Sequence, residues 1–120
     1  MELFSYGNIE EITKTNQYYR RVLSTTLNMQ LVVMSLLPQQ EIGMEKHPYT
    51  TQFVRVEAGV GKAIVNGQEI DIGDGDFVMV YPDTWHNFIN TSTTECLRLY
   101  TVYSPPEHER NELEYYKKME

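Results

Sequence analysis

The chain has 120 residues, with 17 acidic against 10 basic side chains and a formal net charge of -7 at pH 7. A chain of this length buries about two thirds of its unfolded surface around one core, so a single domain over 1–120 is expected. The acidic balance, with no basic run beyond Arg20-Arg21 and Lys117-Lys118, argues against nucleic acid and anionic membranes as partners.

In chain order, the first residues lack a basic segment followed by an apolar one, and no apolar run reaches the ~18 residues of a membrane helix. A soluble, cytosolic protein is expected. Asn8 with Glu11 three residues on reads as an N-cap pair and predicts a short helix through about Lys14. Strands are expected over 18–23 and 29–37, both rich in aromatic and branched residues, the second ending at Pro38, which cannot continue a ladder. In 52–58 the alternation places Gln52, Val54 and Val56 on one face and Phe53, Arg55 and Glu57 on the other. Residues 63–65 and 68–72 flank Asn66-Gly67, a pair suited to a type I′ hairpin turn because both positions need positive φ.

Segments 77–81 and 97–103 are apolar on both faces, which predicts cover on both sides, and 86–90 is a short strand between them. Met29, Met34, Met44 and Met79 are expected to fill the core, and Cys96, the single cysteine, to be a small buried strand residue. With no second cysteine to pair, it also suits a reducing compartment. Ser104-Pro105-Pro106 ends the β region, and about 108–120 has helical composition, with Leu113 and Tyr116 three apart. His108, in an acidic stretch after the two prolines, is expected to be an exposed tail residue. The sum is an all-β sandwich or closed barrel over about 17–104, flanked by two short helices.

His47 and His86 carry the chemical signal. Glu45 and His47 are two apart and project from one face of an extended chain, close enough to share an ion. Gln52 is five residues beyond His47, an odd separation, so the chain must break between them to bring it to the same side; Pro48 is the expected place. His86 would arrive from a distant strand. Two imidazoles and a carboxylate leave coordination positions open, a donor set for Fe, Mn, Ni or Zn rather than for closed structural zinc. Gln52, neutral, would be the weakest of four ligands. Phe88 and Asn90 share the phase of His86 and are expected to line the pocket, with Tyr81 overhanging its mouth. Trp85 is expected on the barrel surface or at an oligomer contact.

From Gly43 to Asn90 these residues resemble the two signature motifs of the cupin superfamily. Glu45, His47, Gln52 and Gly59 stand at the first motif's His, His, acid and Gly, and Gly75, His86 and Asn90 at the second motif's Gly, His and Asn; Tyr81 and Asp83 replace the usual Pro and Gly, with Pro82 one place later. The resemblance implies a double-stranded β-helix, the jelly-roll barrel, with one divalent transition metal. The order Glu, His, Gln, His and the ending Ser-Pro-Pro-Glu-His are similar to small single-domain cupins described as mannose-6-phosphate isomerase-like.

That likeness implies a metal-dependent, isomerase-type activity on a small polar ligand, with Glu45, His47 and His86 as the catalytic set and Glu45 or a water moving the proton. Two alternatives stay open: an Fe(II)-dependent dioxygenase, and a non-catalytic ligand-binding or sensor module. Lys46 and Arg55 alternate away from the ligand face, so neither supplies the cation that a sugar phosphate would want. By the same resemblance a homodimer is expected.

Overall fold

The computed structural model describes residues 2–118. Helix α1 (Ile9–Thr15) is capped as expected: the Asn8 side chain accepts from the Glu11 N–H at 3.0 Å. The strands follow as β1 (Arg20–Thr25), β2 (Gln30–Leu36), β3 (Thr51–Ala58), β4 (Val60–Val65), β5 (Gln68–Gly73), β6 (Phe77–Val80), β7 (His86–Asn90), β8 (Leu97–Ser104) and β9 (Leu113–Glu114). They form a six-stranded sheet in the order β6-β3-β8-β2-β1-β9 and a three-stranded sheet in the order β5-β4-β7. The all-β jelly-roll expectation is met.

The core is made from one phase of each strand. Val32, Met34 and Leu36 of β2, Val54 and Val56 of β3, and Leu97, Leu99 and Tyr103 of β8 meet Ala63 and Phe88 of the smaller sheet, all essentially buried. On β3 the inward phase is Gln52, Val54 and Val56, as the alternation required. Val33 on β2 has the opposite phase yet is also fully buried, because α1 lies across this outer face and packs on β2, β3 and β8.

The hairpin between β4 and β5 turns on Asn66 and Gly67, both at positive φ (49° and 79°), with Val65 opposite Gln68. Strand β4 starts three residues earlier than expected and runs through Gly61, where a Cβ would sit 2.4 Å from the Ile89 carbonyl oxygen of β7. Only glycine lets the two strands approach this closely.

Four expectations need correction. The helix over 108–120 is absent from the described residues; instead β9 pairs antiparallel with β1, Arg20 opposite Glu114, while 119 and 120 lie outside the described residues. Leu113 and Tyr116 are 43 % and 79 % exposed, so the pair offers no apolar face to bury, whereas the edge of β1 offers unpaired backbone groups: Tyr19 N–H donates to Tyr115 and Val22 N–H to Glu112. Strand β6, expected to be covered on both sides, is a sheet edge with Phe77 and Met79 exposed. Of the four methionines expected in the core only Met34 is buried; Met29, Met44 and Met79 are exposed. Cys96 is half-buried and precedes β8 rather than lying in it.

Candidate metal centre

Two segments far apart in sequence are locked face to face. The stretch before β3 runs along the free edge of β7, and Glu45 and His86 exchange both backbone hydrogen bonds, each at 2.9 Å. Directly opposed residues of an antiparallel pair project from the same face, so the Glu45 carboxylate and the His86 ring are neighbours by register. His47, two residues on, shares that face. The chain then bends at Pro48-Tyr49 and enters β3 in the other sheet, which carries Gln52 inward. The expected break at Pro48 is thus where the chain changes sheets.

Glu45 Oε1 lies 3.7 Å from His47 Nε2 and 3.9 Å from His86 Nε2. One donor atom from each of the three residues falls within 4.8 Å of the others. Donors about 2.1 Å from one ion can stand at most about 4.2 Å apart, so both measured pairs fit and the widest closes by a small side-chain movement. Three buried donors in the site, His47 Nε2, His86 Nε2 and Gln52 Oε1, have no hydrogen-bond partner among the described residues. Buried polar atoms are rarely left unpaired, and these are atoms that would face a cation. The donor set fits a divalent transition metal.

Neighbouring groups orient the donors. His86 Nδ1 lies 2.8 Å from the Thr84 carbonyl oxygen, which must accept from an Nδ1–H and so leaves Nε2 as a lone pair. Gln52 Nε2 donates to Thr101 Oγ1 at 3.2 Å and Tyr103 Oη at 3.4 Å, which frees its amide oxygen. The Glu45 carboxylate, 3.7 Å from Nε2, raises the His47 pKa above its ordinary 6.5, against burial and with help from Glu107. Burial lowers that of His86. Burial pushes Glu45 up, but the adjacent His47 ring and the charges of His86 and Arg20 together hold its carboxyl below the ordinary value.

Phe88 is fully buried beside His86, ring centroids 6.1 Å apart, and forms a wall of the site. Tyr81 is 70 % exposed. Asn90 does not line the pocket as expected: its amide donates to the carbonyls of Leu36, Leu37 and Glu95 and its oxygen accepts from Ser92 N–H, so it ties two loops together. Lys46 does point away, to Asp83 at 3.4 Å and over the Trp85 ring at 5.2 Å.

The tail supplies what the sequence reading missed. His108 is inside the site, its ring 5.2 Å from that of buried Tyr103 and its side chain 18 % exposed. With Glu45 it lines an open cleft of about 470 Å³ that Arg20, Glu114, Lys117 and Lys118 also border. Cations therefore do reach the site, although Arg20 is paired with Glu114 at 2.8 Å. A cleft of equal volume beside α1 is lined by no histidine or carboxylate, so chemistry rather than size singles out the one at Glu45. No local pattern marks the tail residues as part of the site; long-range contacts, among them the pairing of β9 with β1, bring them there.

The cupin-domain family profile matches residues 32–103, which contain Glu45, His47, Gln52 and His86. The chain belongs to the cupin family. This cupin is 40 % identical over 111 residues to uncharacterized protein L612 of Acanthamoeba polyphaga mimivirus, covering 89 % of the chain and 69 % of that protein. It is also 40 % identical over 108 residues to YrkC of Bacillus subtilis, covering 84 % of the chain and 57 % of YrkC, and so spans little more than half of that relative. Among solved structures, BH2720 from Bacillus halodurans superposes with a TM-score of 0.90 at 33 % identity, over 95 % of this chain and 89 % of that one. Two likenesses below 25 % identity show the fold alone. A provisionally named sugar phosphate isomerase from Acidithiobacillus ferrooxidans has TM-score 0.59 at 23 % identity, over 66 % and 51 % of the two chains. A provisionally named oxalate decarboxylase from Thermotoga maritima has TM-score 0.60 at 18 % identity, over 75 % and 95 %.

Proposed function

We propose that this cupin binds one divalent transition metal through Glu45, His47 and His86, with Gln52 as a fourth donor, and acts on a small polar ligand in the adjoining cleft as an isomerase-type enzyme. The observation that carries the reading is the convergence of both imidazole Nε2 atoms on one Glu45 oxygen, at 3.7 and 3.9 Å, with Glu45 and His86 held opposite each other by backbone register. Such an ion supplies Lewis-acid polarisation of a carbonyl or hydroxyl oxygen. Glu45, the carboxylate that belongs both to the donor set and to the cleft lining, is the group that would take and return the proton. Arg20, Lys117 and Lys118 at the cleft border suit a ligand carrying an anionic group, as a sugar phosphate does.

The test is metal content of the purified protein after loading with Fe, Mn, Ni or Zn, for the wild type against His47→Ala and His86→Ala, followed by NMR of aldose and ketose phosphates with the loaded protein. Stoichiometric metal in the wild type and its loss in both variants is expected. A wild type without bound metal overturns the reading. Oxygen uptake by the Fe(II) form with no isomerisation would replace it with the dioxygenase, and binding without turnover would replace it with a sensor or carrier. The outer face where half-buried Phe53 stacks on exposed Phe77 at 5.7 Å beside exposed Met79 supports homodimer formation, which sedimentation equilibrium measures.

A further inference from the structure

We infer that Glu107 is a positioning residue for the metal centre: delivered by a clamped C-terminal strap, its carboxylate orients His47 so that Nε2 is presented to the ion. The inference deepens the proposed metal reading and rests on it. Glu107 Oε2 lies 3.4 Å from His47 Nδ1, on the side of the ring opposite the Glu45 contact at Nε2. His47 therefore sits between two carboxylates, one on each ring nitrogen. A carboxylate on the Nδ1 side favours the tautomer with the proton on Nδ1 and the lone pair on Nε2, the tautomer that the Thr84 carbonyl sets for His86.

A carboxylate on a loose tail could not do this, and this tail is not loose at Glu107. Gln30, fully buried at the start of β2, accepts from the Glu107 and His108 N–H groups at 3.2 and 2.9 Å. Its amide nitrogen donates back to the His108 carbonyl at 2.8 Å and to Thr25 Oγ1 at 3.1 Å. One buried side chain thus fixes the backbone on both sides of the Glu107–His108 peptide. Downstream, the pairing of β9 with β1 and a 2.7 Å bond from Lys117 Nζ to the Glu41 carbonyl anchor the strap at two further points. Glu41 is in the same segment as Glu45 and His47, so the strap grips the ligand-bearing stretch at both ends.

The experiment uses the full chain and zinc as the probe. Zinc affinity is measured by competition with a chromophoric chelator for wild type, Glu107→Ala, Glu107→Gln and the control Glu109→Gln, which makes the same charge change at an exposed position two residues on. Loss of such an orienting partner lowers metal affinity by roughly 10- to 100-fold, and that is expected for Glu107→Ala. Glu107→Gln, whose amide oxygen still accepts from Nδ1–H, should fall between, and Glu109→Gln should match the wild type. In the metal-free proteins the ring-nitrogen chemical shifts of His47 should move in Glu107→Ala and be restored toward wild type in Glu107→Gln, with thermal midpoints alike. Unchanged zinc affinity and unchanged His47 shifts in Glu107→Ala would overturn the inference. A wild type that binds no zinc would end the proposed metal function, and the shifts would still decide whether Glu107 holds the ring.

Discussion

His108 gives the sharpest quantitative test of the tail's placement. Burial, and then the charge of Arg20, lower its pKa from 6.5 to about 4, against the pull of Glu45, Glu107 and Glu114. Glu112 lies only 3.2 Å from Nδ1 but is shared with Arg20 at 3.7 Å, which blunts its effect. The folded state therefore binds fewer protons than the unfolded chain between about pH 4 and about pH 6.5, so stability is lost as pH falls through that window and levels off below it. Between about pH 7.5 and about pH 4.5 the linkage amounts to roughly 2 kcal/mol, allowing for screening at the 18 % of the side chain that remains exposed. Urea unfolding in the presence of EDTA, at both pH values, measures it. Other groups titrate as well, so the quantity read is the difference between wild type and His108→Gln, which should lose less stability on acidification by that amount. Parallel losses in the two proteins would mean that His108 is solvated and that the strap does not enclose it.

Asn90→Ala removes an amide group whose two N–H donors serve the carbonyls of Leu36, Leu37 and Glu95, with an expected cost of about 2–4 kcal/mol in urea unfolding. Zinc affinity should be unchanged, because the residue ties loops rather than lining the site. Gln30→Leu leaves the part-buried backbone N–H groups of residues 107 and 108 without their acceptor, at a cost of about 2–3 kcal/mol, and should release the strap to limited proteolysis after residue 104 before the barrel is cut. Gly61→Ala drives a Cβ to 2.4 Å from the Ile89 carbonyl and 2.9 Å from Leu97 Cδ2; parting β4 from β7 costs about 2–4 kcal/mol or more, read as a drop in thermal midpoint.

The pairings that depend on neighbours in sequence are legible in the chain itself. The Asn8 cap bonds its own Glu11, the Asn66-Gly67 turn is set by two positive-φ positions, and the phase of β3 follows from period-2 alternation. The likeness of Glu45, His47, Gln52 and His86 to signature positions was visible for the same reason, since spacing along extended chain fixes which side chains share a face. The 108–120 segment misled because helical composition weighs only slightly when the helix would have no apolar stripe to bury. There the open edge of β1 decided the conformation, and with it the location of Glu107 and His108.

Sequence alone determined the strand phases, the hairpin, the helix cap and the donor types at the candidate centre, since each depends on covalent spacing and local φ preference. Tertiary structure decided which segments face one another. Opposing Glu45 to His86 through two backbone hydrogen bonds, and bringing the strap to His47 by way of Gln30, are pairings between residues 41 and 77 or more positions apart. No local propensity encodes such contacts; they follow from which edges and cavities remain once the two sheets have packed.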